Sequence, residues 1–265
     1  MSFIRQFFGN MRKANQKVLS IYLPAGYPTS EATLPLLDTL VEAGADMIEL
    51  GIPFSDPLAD GPTIQRASQQ AIANGTTLLQ SLNFLRLFRT KHPQVPALLM
   101  GYANPFFRFG WDRLVDMAAA ADVSGFIIPD LPPEECEPIL SRIHSSGMDL
   151  IFLATPNTPP ERLRLINAKG RGFLYAVSLT GVTGARKNLP PETKAFLQRL
   201  RRESSHPIMV GFGISTPQLA AQMAKEGNGV IIGSAVIDLI ENSPDLPAAR
   251  KTVFEFVSQV KKAMG

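Results

Sequence analysis

Apolar residues recur along this chain in two alternating patterns. Short, almost continuously apolar runs are each followed by a longer stretch in which apolar positions return every three or four residues. The short runs are VLSIYLP (18–24), DMIELGI (46–52), PALLMGY (96–102), VSGFIIPD (123–130), MDLIFLA (148–154), GFLYAVS (172–178), PIMVGFG (207–213) and NGVIIGS (228–234). They lack the alternation of a half-solvated sheet, so they read as parallel strands covered on both faces. Helical patterns between them include EATLPLLDTLVEAG, WDRLVDMAAAA, PEECEPILSRIHSSG, PPERLRLINAKG, PETKAFLQRLRRE and TPQLAAQMAKEG. Several open with Ser, Thr or an early proline and several close at glycine, the usual start and stop chemistry of helices. Eight such units predict an α/β fold, a single-domain (β/α)8 TIM barrel over residues 1–265. A doubly wound open sheet fits less well, because no glycine fingerprint follows the first strand. The segment FIRQFFGNMRKAN (3–15) predicts an extra helix closing the barrel's bottom.

Most strand starts are 21 to 28 residues apart, but 50 separate Asp46 from Pro96 and 35 separate Gly172 from Pro207. The pattern therefore predicts long loops after strands 2 and 6, IELGIPFSDPLADGPTIQ and VSLTGVTGARKNLPPE. In such barrels the loops after the strands build the catalytic face.

Composition narrows the classes. At 45% hydrophobic and 18% charged residues the chain folds rather than staying disordered. No apolar run approaches the ~18–20 residues needed to cross a bilayer, so no membrane association is expected. The single cysteine, Cys136, cannot close an internal disulfide, and the N-terminus has no secretory pattern, which together fit the cytoplasm. With 26 basic and 23 acidic residues, nucleic acid is not an expected partner. The densest basic stretch (Arg199, Arg201, Arg202) ends a predicted helix and reads as a solvated face. Three scattered histidines (His92, His144, His206) and one cysteine suggest no metal site, and all three read as surface or bottom-face residues.

Candidate chemistry starts with Glu49, a carboxylate near the end of an apolar strand. Burial there should raise its pKa and suit it to proton transfer. A salt bridge to a neighbouring strand is the bland alternative, although this interior offers few cations. Asp60 lies 11 residues on, in SDPLADGP, where it could pair with Glu49 as a second carboxylate or simply cap the next helix. Asp56, before Pro57, reads equally well as an Asx-turn. On the other side, Gly181 and Gly184, then Gly211-Phe212-Gly213-Ile214-Ser215, then Gly233-Ser234-Ala235 at a helix start, look like a phosphate cradle. Tyr22, Met100, Tyr102, Phe126, Ile127, Leu153, Tyr175 and Phe212 fall on or just past strands; some could wall an aromatic ligand, and most are core.

These segments together resemble the tryptophan synthase alpha-chain family over roughly residues 3 to 260. IELGIPFSDPLADGPTIQ is similar to its signature around two catalytic acids, and LMGYANP, GFIIPDLPPEE, YAVSLTGVTGAR, VGFGIST and GVIIGSA follow in family order. The resemblance implies a lyase that cleaves indole-3-glycerol phosphate to indole and glyceraldehyde 3-phosphate without a metal. Glu49 would be the general acid/base, Asp60 would hold the indole N–H and stabilise charge on the ring, and Tyr175 would support them. Tyr22 and Tyr102 would contact substrate, and Gly184, Phe212, Gly213, Gly233 and Ser234 would bind the phosphate. The resemblance also implies an α2β2 complex with a β chain that carries pyridoxal phosphate. Loops 53–62 and 178–190 would act as lids, and Pro53, Phe54, Pro57 and Leu58 would form a partner surface or fold over their own barrel. Tyr22 stands where many members have phenylalanine, and Asn228 where aspartate is common. Two other readings share the phosphate cradle: a phosphosugar isomerase or epimerase, and a catalytically silent regulatory barrel.

Overall fold

The computed structural model describes residues 2–177, 189–211 and 213–265. Nine strands run in chain order: β1 Val18–Pro24, β2 Met47–Gly51, β3 Ala97–Met100, β4 Gly125–Ile127, β5 Asp149–Ile151, β6 Leu153–Ala154, β7 Leu174–Val177, β8 Ile208–Gly211 and β9 Gly229–Ile232. Every pairing is parallel, in the order β5-β4-β3-β2-β1-β9-β8-β7-β6. Its two ends, β5 and β6, are consecutive pieces of one stretch separated only by Phe152, so the sheet closes on itself. The stretch read as the fifth strand is thus a single staple pairing with β4 on one side and β7 on the other. Apart from Leu153, every strand residue is buried. Side chains fill the lumen on one face and meet helices on the other, which is why the runs are apolar throughout.

The flanking helices follow the expected punctuation. α1 (Phe3–Lys13) buries Ile4 and Phe8 beneath the barrel, with Phe8 5.9 Å from Phe173 by ring centroid. Ser2 at its N-cap donates to Asp149 at the foot of β5 (2.6 Å), tying this helix to the barrel bottom as the sequence pattern anticipates. α2 is Thr33–Glu42.

The long interval after β2 differs from expectation. Its loop is residues 52–61, and most of the rest is two helices, α3 (Pro62–Ala73) and α4 (Leu78–Lys91). The PTIQ tail assigned to the loop is the first turn of α3, where Pro62 loses no hydrogen bond because that N–H has no helical partner anyway. Thr77 and Gln80 form a reciprocal capping box that starts α4. A short α5 (Ala103–Phe109) precedes α6 (Trp111–Ala120). α7 spans Glu137–Ser145 rather than beginning at Pro133, because Pro138 fits only a first turn. The remainder are α8 (Pro160–Lys169), α9 (Pro191–Glu203), α10 (Pro217–Glu226), α11 (Ser234–Glu241) and α12 (Leu246–Met264). No described helix is long and apolar enough to cross a membrane.

Arg199 on α9 departs from the solvated-face reading. It stacks on Phe196 (5.8 Å) and donates to the carbonyls of Pro156 and Thr158, fastening the turn after β6. Arg201 and Arg202 remain exposed.

Candidate active site

β1 and β2 pair with Ser20 opposite Met47 and Tyr22 opposite Glu49. Residues two apart share a strand face, so Ser20 and Tyr22 project together. Glu49 is fully buried; its Oε1 accepts from the Ser20 hydroxyl at 2.8 Å, and its Oε2 has no partner among the described residues. None of the ion pairs among the described residues includes Glu49. The salt-bridge alternative for this residue is therefore not what the geometry shows. Burial, only partly offset by the Ser20 hydrogen bond, pushes its carboxyl up to about 8.

Asp60 sits at the end of the 52–61 loop, half-buried. Its Oδ2 accepts from the Tyr102 hydroxyl (2.9 Å), and that same oxygen of Tyr102 accepts from the Ala59 amide (3.0 Å). The N-cap of α3 is Gly61, with no side-chain capping bond, so the Asp60 carboxylate is spent on Tyr102 rather than on the helix. Burial raises the Asp60 carboxyl to about 6, the Tyr102 hydrogen bond pulling the other way. Burial thus raises both carboxyls, and raises Glu49 further than Asp60, so the two sit in unlike environments. Asp56 is exposed and takes only the neighbouring Ser55 hydroxyl.

Two tyrosines fill the space around this pair. Burial drives the phenols of Tyr22 and Tyr175 well above their ordinary pKa, and nearby Glu49 and Asp60 push in the same direction. Both rings lie over glycines: a Cβ at Gly51 would come within 2.2 Å of the Tyr22 hydroxyl, and one at Gly211 within 2.4 Å of the Tyr175 ring. Tyr102 is also buried and packs on Phe54 at 5.5 Å.

The glycine turns follow β8 and β9. Gly213 takes φ +72°, the left-handed region, and Gly233 caps α11, whose first residue is Ser234 and which has no side-chain cap. Gly184 and Phe212, assigned to the same cradle, lie outside the described residues, as do residues 178–188 of the second expected lid. A cavity of about 590 Å³ lies towards the loops after β4 and β6, walled by Pro129, Pro133, Thr158, Arg162 and Ile166 and reaching Ala59 and Gly213; Glu49, Asp60 and the three tyrosines do not line it. That size suits a small ligand. Met100, Phe126 and Ile127 are buried strand residues, as the core reading holds.

The 52–61 loop divides the surface expected of it. Pro57 is buried and Phe54 packs on Tyr102, so both fold onto their own barrel. Pro53 is half-buried, while Leu58 projects at 92% exposure, and Phe107 on α5 stands out at 69%. The histidines are elsewhere: His92 pairs with Asp38 (2.8 Å), His206 lies by the Asn167 carbonyl, and half-buried His144 sits in α7. Among the described residues no group of three His, Cys, Asp or Glu side chains is arranged to hold a metal ion. Ser20 escaped sequence reasoning, since one serine in an apolar strand carries no signal until its cross-strand neighbour is known.

Known proteins resemble this arrangement closely. A family model described as tryptophan synthase alpha chain matches residues 8–264. The tryptophan synthase alpha chain of Dehalococcoides mccartyi is 45% identical over 94% of this chain and 96% of its own. That of Delftia acidovorans is 43% identical, with 100% and 99% covered. Among solved structures, the tryptophan synthase alpha chain from Legionella pneumophila subsp. pneumophila superposes with a TM-score of 0.92 at 38% identity, covering 100% of this chain and 97% of that one.

Proposed function

The chain belongs to the tryptophan synthase alpha-chain family, and from that premise we propose how its residues carry out the family reaction. It is a carbon–carbon lyase that cleaves indole-3-glycerol phosphate, serving as the alpha subunit in tryptophan biosynthesis. The products are indole and glyceraldehyde 3-phosphate, and no water is consumed.

In the proposed cycle Glu49 begins protonated and delivers its proton to indole C3. The positive charge this leaves on the ring is stabilised by ionised Asp60, which accepts the indole N–H. Glu49, now a carboxylate, takes the proton of the side-chain hydroxyl next to the scissile bond. The C–C bond pair returns to the ring, the O–H pair becomes the carbonyl of the aldehyde, and Glu49 is protonated again. The split between about 8 and about 6 supports these starting states. Tyr175 and Tyr22 wall the indole, and Tyr102 orients Asp60. Gly213, Gly233 and Ser234, with Gly184 and Phe212 from the undescribed segments, are proposed to bind the phosphate through backbone amides and the α11 dipole.

The family implies a β-chain partner. We place its contact at Leu58, in the Asp60 loop, and Phe107, on α5, the two most exposed large apolar side chains among the described residues, in an α2β2 assembly whose pyridoxal phosphate resides in the β chain. A cytoplasmic location accords with the lone buried Cys136.

The observation that carries this reading is the buried Glu49 carboxyl with one oxygen held by a hydroxyl and the other unpartnered. Glu49→Gln should lower indole release by at least ~10²-fold, the lower end for general acid–base catalysis, with the fold intact by circular dichroism. Near-normal turnover in that variant would remove Glu49 from the mechanism.

A further inference from the structure

Nothing in the chemistry above uses Ser20. It is fully buried on β1 between Leu19 and Ile21, where an unbonded hydroxyl would cost free energy and an alanine would pack as well. Its O–H donates to Glu49 Oε1 at 2.8 Å, across 29 residues of sequence, and among the described residues it is the hydrogen-bond donor that this carboxyl has. The other oxygen, Oε2, is equally buried and is left bare.

We propose that Ser20 is a positioning residue for the cleavage: its hydroxyl pins Oε1 of Glu49, so that Oε2 is the oxygen that gives and then receives the proton. This inference rests on the acid/base reading of Glu49. A carboxyl on three rotatable bonds inside a lumen must present one oxygen to a ring carbon with defined direction, and a fixed partner on the other oxygen supplies that direction. The same bond has an electrostatic effect. A hydroxyl donor favours the carboxylate over the acid, opposing the burial that favours the acid. The titratable groups whose own shifts register Glu49 are the phenols of Tyr22 on β1 and Tyr175 on β7, both neutral; Asp60, from the loop after β2, bears on the same two phenols. Among the described residues no cation contributes to the Glu49 shift, and the Ser20 hydrogen bond is what opposes burial there.

The test measures indole release by the full chain over a range of pH for Ser20→Ala, Ser20→Thr and Glu49→Gln. Protonated Glu49 is the competent starting form, so kcat/KM falls as pH rises through its pKa. Ser20→Ala should lower kcat about 10-fold, in keeping with a lost hydrogen bond to a charged group, and move that alkaline limb upward by about one pH unit. Ser20→Thr, which keeps the hydroxyl, should hold the limb at its original position even where its extra methyl lowers stability. A packing defect reduces the amount of active enzyme without moving the limb. An unmoved limb in Ser20→Ala, or equal limbs in the two serine variants, overturns the positioning role and leaves Glu49 as the acid/base. Full activity in Glu49→Gln overturns both.

Discussion

At the scale of single residues, the site depends on two carboxyls in unlike surroundings. Glu49 is sealed inside the barrel with one hydroxyl for company, whereas Asp60 sits nearer the mouth with Tyr102. Burial raises both, one to about 8 and the other to about 6. On the proposed mechanism Asp60 acts ionised and Glu49 protonated, so kcat/KM should trace a bell with limbs near those two values. Asp60→Asn should flatten the acid limb and reduce kcat/KM at pH 7 by about 10-fold or more, the worth of one charge-assisted hydrogen bond. A bell unchanged in Asp60→Asn would assign the acid limb to another group. Glu49 was legible in the sequence because an acid in an apolar strand demands an explanation. For Asp60 the sequence offered catalysis or capping equally, and only the Tyr102 hydroxyl and the N-cap at Gly61 set the capping role aside.

At the scale of elements, the strands hold the tyrosines in place by what they omit. Gly51 on β2 and Gly211 on β8 leave room for the Tyr22 and Tyr175 rings. Gly211→Ala would force the Tyr175 ring out of position, since the new methyl would sit 2.4 to 2.7 Å from its edge and hydroxyl. Overpacking of that kind costs about 1–3 kcal/mol. The variant should unfold at lower denaturant concentration with an unchanged m-value, and lose indole release beyond what its folded fraction explains. Unaltered turnover per folded molecule would show that Tyr175 does not shape the pocket. The extra helices after β2 were hidden within an interval marked long by spacing alone. Spacing reveals that residues have been added, and here the content of that addition depends on Pro62 and the Thr77–Gln80 box, weak signals beside a conspicuous Gly- and Pro-rich loop.

At the scale of the molecule, the acid inside the barrel sets function against stability. Glu49 ionises at about 8 when folded and at the ordinary carboxylate value when unfolded. Below the unfolded value both states hold the proton and the fold carries no penalty. Between the two values the unfolded chain releases its proton while the native one retains it, so stability falls as pH rises, levelling off above about 8. Glu49→Gln has no such group. Its melting temperature should exceed that of the parent by a margin that is small at pH 5 and grows toward pH 8.5, corresponding to a few kcal/mol on the order of magnitude set by the shift. A margin independent of pH would mean that the native carboxyl ionises normally, and the proton-donor role would lose its physical basis. The variant predicted to lose activity is thus expected to be the more stable protein, as is common where an active site is built from a destabilised group.

The order of apolar runs and helical patterns determined by itself that this chain forms closed parallel strands with helices outside, because strands buried on both faces must be apolar throughout and helices must present one apolar stripe. The positions of Glu49, Asp60 and the late glycine turns likewise marked the C-terminal ends of the strands as the expected catalytic side. Tertiary structure alone decided which groups meet: Ser20 with Glu49, Tyr102 with Asp60 and Ala59, Arg199 with the turn after β6. These partners lie 29 to 43 residues apart along the chain. The reason is physical. Periodicity records how each segment faces water, a property every residue carries locally, whereas a hydrogen bond between neighbouring elements depends on their register and packing, which no single segment encodes.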